Sequence, residues 1–169
     1  MKNIYYWCPF IGNIATIKAV INSADSLVKY SDKKFSPLII NSCGEWDDYK
    51  EYFEKKKIRL KNFDNFYSID KNISGYIKSR ITYVKVFLSC FFSLKKILKI
   101  DKPEYLIAHL ITSLPIFLFI IFKFQTRLVI RVSGKVKMNI FRKILWKLCK
   151  KKSNLLHVQL KKLIKILSN

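Results

Sequence analysis

The side chains best suited to bind or transfer a group follow apolar runs of the chain. His109 closes the run 105–110, and Arg131, Ser133 and Gly134 close the run 127–132. An imidazole with a pKa near neutrality can hydrogen-bond a ligand hydroxyl. A strand-end histidine satisfied by backbone is the other reading of His109. The planar fork of Arg131 suits a phosphate or carboxylate, or else a structural ion pair. Glu45, in the stretch CGEW, could accept hydrogen bonds from ligand hydroxyls, or stand as a solvated loop carboxylate. Gly12 and Asn13, in CPFIGN, combine a turn with a helix-capping residue. Backbone N–H groups at such a helix start can hold an anion, and a plain turn is the alternative. No residue among these makes a recognisable catalytic constellation.

Cysteine and histidine usage excludes a metal centre. Cys8, Cys43, Cys90 and Cys149 are widely spaced with no C-x-x-C pair, and His109 and His157 are the only histidines. The four thiols read as reduced core residues of a cytoplasmic protein.

The elements that must position these residues follow from periodicity. Strands are expected at 2–7, 35–41, 57–60, 105–110, 127–132 and 155–159. Helices are expected at 14–30, 46–56, 75–100, 114–124 and 139–151. Residues 61–72 read as a polar loop. The runs 105–110 and 127–132 look buried on both faces, as strands of a parallel sheet are. A crossover helix between them makes a β-α-β unit. Strict alternation of strand and helix predicts an α/β fold, an open doubly wound parallel sheet. In such a sheet ligands bind beyond the carboxyl ends of the strands. Gly12, Gly44 and Gly134 all fall there.

The 169 residues suit one domain, and 50% hydrophobic content excludes a disordered chain. The net charge of +22 comes from 28 Lys and only five Arg, alongside abundant Ile and Asn, so compositional bias explains part of it. Its distribution is more telling. All eleven acidic residues lie at or before Glu104, while 105–169 carry fourteen Lys or Arg and no acid. The second half is therefore expected to face something anionic.

Four stretches carry a family likeness: WCPFIGNIATIKAVINSADSL at 7–27, INSCGEWDDY at 40–49, EYLIAHLITSLP at 104–115 and RVSGKVKMNIFRKILWKL at 131–148. Together they resemble family 4 glycosyltransferases of bacterial surface-polysaccharide and lipopolysaccharide assembly. The resemblance implies one half of a GT-B fold, a Rossmann-like N-terminal domain over 1–158 that receives the acceptor. It also implies that His109 faces the cleft and contacts the transferred sugar, and that the Gly12–Asn13 loop approaches both substrates. The donor half, with its nucleotide-sugar site, lies outside this chain, and 159–169 read as a divergent basic tail. No cofactor is implied beyond the nucleotide-sugar co-substrate. The implied reaction moves a sugar, with retained configuration, to a glycan or lipid-linked acceptor once a donor domain is supplied, from a partner chain for example. Alone, the chain is expected to be inactive.

The helix at 139–151 sets Ile140, Phe141, Ile144, Leu145 and Leu148 against Arg142, Lys143, Lys147, Lys150 and Lys151, with Trp146 at the boundary. That pattern suits either a helix covering the sheet or one at an anionic membrane. In the second case Arg142, Lys143, Trp146, Lys147, Lys150 and Lys151 face the bilayer, and the protein is peripheral at the inner face of the plasma membrane. Two other readings remain open. Charge alone could bind nucleic acid, although no nucleic-acid motif is present and nucleic acid is not the expected partner. Residues 106–122, uncharged but broken by His109, Thr112, Ser113 and Pro115, could span a membrane once.

Overall fold

The structure, a computed structural model, describes residues 1–10, 15–63, 76–131, 140–152 and 157–158. Its strands are β1 (Lys2–Trp7), β2 (Phe35–Asn41), β3 (Arg59–Asn62), β4 (Tyr105–Ala108), β5 (Arg127–Ile130) and β6 (His157–Val158). The helices are α1 (Ala15–Tyr30), α2 (Lys50–Lys55, preceded by a 3-10 turn at Asp47–Tyr49), α3 (Tyr76–Ile100), α4 (Ser113–Ile121) and α5 (Ile140–Lys152). All pairings are parallel, in the order β3-β2-β1-β4-β5-β6. The chain thus winds outward from β1 to one edge, returns through α3, and winds outward again from β4.

That path sets the layers. Ile4 and Tyr6 of β1 face α1 and α2, and join Ile17, Val20, Ile21, Ala24, Trp46 and Phe53 in one core. Tyr5 and Trp7 face the other way. They join Val86, Cys90 and Leu94 of α3, Leu114 and Leu118 of α4, and Trp146 and Cys149 of α5 in the second core. The buried spacing on α1, at i, i+3, i+4 and i+7, is what a helix needs to lay one stripe on a sheet. Burying each of Ile17, Val20 and Ile21 contributes about 1.5–3 kcal/mol.

Four expectations need correction. First, β3 begins at Arg59, two residues late, because α2 runs into a helix-ending motif. The amide of Ile58 donates to Phe53 and that of Lys57 to Glu54, with Lys57 at φ 56°. That left-handed residue is a helix terminator normally given to glycine, so a lysine there disguises the stop. Second, β4 ends at Ala108, and Leu110 turns the chain at φ 57°. Third, α4 ends at Ile121. Fourth, β4 and β5 are buried on one face only. Leu106, Ala108, Leu128 and Ile130 are buried under α3–α5, whereas Tyr105, Ile107 and Val129, on the α1 side, are half-buried. A groove of about 1100 Å³ runs there, between α1 and the sheet.

The single-span reading also fails, since 106–122 divide into a strand and a nine-residue helix. No helix among the described residues is long and apolar enough to cross a membrane. All four cysteines are buried and outside any disulfide, Cys43 and Cys90 with sulfurs 3.7 Å apart.

Candidate functional site

In a sheet of this strand order, the winding direction reverses between β1 and β4. Neighbouring connections leave there to opposite faces, which opens a crevice at the carboxyl ends. One step beyond the last register pairs, Asn41, Cys8, His109 and Arg131 form a lateral row across β2, β1, β4 and β5. Alternation places the row on the α1 side of the sheet. Backbone bonds hold it in place. The His109 amide donates to Trp7 at 2.8 Å, and the Arg131 amide donates to Ala108 at 2.9 Å.

His109 stands at the reversal. It is 2% exposed, and its Nε2 has no hydrogen-bond partner among the described residues. Burial, and secondarily the charge of Arg131, pull its pKa down to about 4. The imidazole is therefore neutral at physiological pH. Its orphan nitrogen can accept or donate one bond according to tautomer. Leaving such a group unpaired costs about 1–3 kcal/mol, which a ligand hydroxyl at that point would recover. Half-buried Arg131 lies beside it, on the groove between α1 and the sheet, at the carboxyl end of that groove. A buried, neutral hydrogen-bonding group and a half-buried cation thus stand side by side at the carboxyl ends of β4 and β5.

Glu45 is not the exposed loop carboxylate expected. It is 3% exposed, and its oxygens accept from the Ser42 amide (3.1 Å), the Ser42 hydroxyl (2.6 Å) and the Cys43 amide (2.6 Å). Gly44, at φ 77°, lets the loop curl back far enough for this. Burial raises the Glu45 pKa, while those hydrogen bonds oppose the rise. Burial, together with the nearby Glu45 carboxylate, also pushes the Cys8 thiol up. Glu45 therefore shapes the loop after β2 and has no oxygen standing free in solvent for an acceptor. Asn41 braces the same loop, donating to Asp47 and Asn62 and accepting from the Trp46 amide.

Gly12, Asn13, Ser133 and Gly134 lie outside the described residues. So do the side chains of Arg142, Lys150 and Lys151 and the segment 159–169. On α5, Lys143 and Lys147 are exposed, but Trp146 is 2% exposed and belongs to the sheet-side core, so it does not face a membrane. The described residues hold no cluster of three or more potential metal ligands. Cys8 is buried in the α1-side core, as its sequence reading expects, whereas the loop-bracing role of Asn41 was not read from the sequence, although its place at a strand end could have flagged it.

No protein-family model and no curated protein matches the chain. Solved structures match it in fold. The UDP-GlcNAc 2-epimerase from Neisseria meningitidis, solved bound to UDP-GlcNAc, superposes with a TM-score of 0.59 at 12% identity, over 99% of this chain and 43% of its own. The glycosyltransferase of kitacinnamycin gives 0.54 at 8%, over 89% of this chain and 35% of its own. MurG from Acinetobacter baumannii gives 0.51 at 8%, over 96% and 42%. The chain therefore spans less than half the length of each. At these identities the likeness is one of fold: an α/β, Rossmann-like half-domain of the GT-B type, shared by glycosyltransferases and UDP-GlcNAc 2-epimerases.

Proposed function

We propose that this chain is the acceptor-side half of a glycosyltransferase of the family 4 type. A second domain supplies the nucleotide-sugar, and the acceptor is a glycan or lipid-linked saccharide of bacterial surface-polysaccharide synthesis. The observation that carries the reading is the buried, neutral His109 with its unpartnered Nε2 beside Arg131, at the point where the winding reverses. His109 would bond a sugar hydroxyl at the reacting centre and Arg131 an acceptor phosphate. Sugar transfer needs the leaving diphosphate to be held from the facing domain, so this half binds without turning over.

The test is titration calorimetry of the purified chain with a glycosyl-phosphate acceptor mimic, alongside a transfer assay with UDP-GlcNAc. Weak binding of the mimic, lost in His109→Ala and in Arg131→Ala, with no transfer, is the expected result. Transfer by the chain alone would overturn the need for a second domain, and absence of mimic binding would overturn the acceptor role. A half-domain of an epimerase is the second reading, favoured by the TM-score of 0.59. Interconversion of UDP-GlcNAc and its 2-epimer upon adding a donor domain would select it.

A further inference from the structure

Helices α3, α4 and α5 form the layer on the Trp7 side of the sheet, and their inward residues make its core. Their outward residues are unusual. On α3, Ile81, Val84, Leu88 and Phe92 recur at helical spacing away from the sheet and are exposed, Leu88 by 65% and Phe92 by 72%. Helix α3 thus carries apolar residues on both sides. Phe117 and Ile121, one turn apart, continue the surface on α4. The ring of Phe117 meets Phe87 and Phe91 of α3, with centroids 5.7 and 6.3 Å apart, so the two helical surfaces join. Next to α4, α5 turns Ile144 and Leu148 outward, opposite buried Trp146 and Cys149.

Among the described residues of these three helices the charges are of one sign. Lys85, Lys99, Lys143 and Lys147 are exposed on the same helices, and none of the three helices contains an Asp or Glu. Contiguous apolar patches of this kind mark interaction sites on soluble domains. A second copy of this chain, itself carrying a net charge of +22, would meet these lysines with like charge. An apolar centre with a cationic margin is instead the complement of an anionic bilayer, where apolar side chains enter the headgroup boundary and lysines meet lipid phosphates.

We infer that the outer face of the α3–α4–α5 layer is a membrane-docking surface for anionic lipid, with the α3 stripe as its inserting element. The α5 charges alone do not make it. This inference does not depend on the glycosyltransferase reading.

Flotation with lipid vesicles tests it without any transfer assay. The chain should float with phosphatidylcholine vesicles containing about one-third phosphatidylglycerol, and bind pure phosphatidylcholine at least about tenfold more weakly. The double variant Leu88→Asp, Phe92→Asp should reduce binding to the anionic vesicles by about tenfold or more. Its urea midpoint should stay close to that of the parent, because both side chains are solvent-facing. Lys143→Glu with Lys147→Glu should weaken binding as well. Failure to float, or full binding by the Leu88/Phe92 variant, would overturn the inference. So would a concentration-dependent dimer that the same variant disperses while vesicles are ignored, since the surface would then join two copies of the chain.

Discussion

The indole nitrogen of Trp7 donates to the carbonyl of Ile111 at 2.9 Å, joining residues 104 positions apart. The backbone carbonyl of the same tryptophan accepts from the His109 amide at 2.8 Å. One residue of β1 thereby grips both ends of the three-residue segment that carries the candidate histidine. Between those grips Leu110 is held at φ 57°, a left-handed conformation that costs a non-glycine residue about 1–2 kcal/mol. The clamp explains how that strain persists at the end of β4.

Removing the indole donor should loosen this segment. Trp7→Phe leaves the buried Ile111 carbonyl without its partner and should cost about 1–3 kcal/mol in urea unfolding. The His109 imidazole resonances should shift in the same variant, because the backbone that fixes the ring gains freedom. Unchanged resonances would show that β4 pairing alone sets the ring.

The pH dependence of stability has a defined sign. His109 titrates near 6.5 when unfolded and at about 4 when folded, so the unfolded chain binds more protons between those values. Its contribution is complete above about pH 6.5 and is lost as pH falls to about 4, amounting to about 3 kcal/mol. Glu45 acts in the opposite sense. With its folded pKa raised above 4.5, its contribution is present at lower pH and fades as pH rises. Urea midpoints across this range should show His109→Gln losing the acid-side decline and keeping the Glu45 effect. Direct titration of the His109 ring by NMR should give a midpoint well below 6.

Glu45 uses both carboxylate oxygens at once, one toward Ser42 and the other toward Cys43. In Glu45→Gln the amide nitrogen must face one of those donors. A loss of about 1–3 kcal/mol at neutral pH is expected from thermal or urea unfolding. Glycosyl-phosphate binding should weaken less than in His109→Ala, since Glu45 positions the loop and is not offered to the ligand.

Lys57 occupies a left-handed position at φ 56° on an exposed turn. Lys57→Gly should stabilise the protein by about 0.5–1 kcal/mol, the strain relieved exceeding the entropy added to the unfolded chain. Differential scanning calorimetry would register this as a higher Tm. A lower one would mean that the lysine side chain contributes more than its backbone costs.

The fold was legible because each strand and helix carries its own period. Ile17, Val20, Ile21 and Ala24 announce α1 without reference to anything distant, and the alternation of such segments dictates a parallel sheet. Boundaries failed where a local rule was broken for a nonlocal reason. Lysine at 57 hid a helix terminator, and the turn at Leu110, clamped by Trp7, cut β4 short of its apolar run. Glu45 was misread for a related reason. A carboxylate in a loop is normally solvated, and only the curl of 42–45 back onto itself buries this one.

Composition and spacing by themselves determined the α/β class, the strand-end location of His109 and Arg131, and the absence of acid from 105–169, because all of these are properties of neighbours along the chain. Tertiary structure decided which strand ends meet. It set His109 between Trp7 and Arg131, left its Nε2 without a partner among the described residues, and turned Trp146 inward. It also joined the exposed stripes of α3 and α4 into one surface. Those outcomes depend on the packing of segments far apart in sequence, and on desolvation that no local pattern encodes.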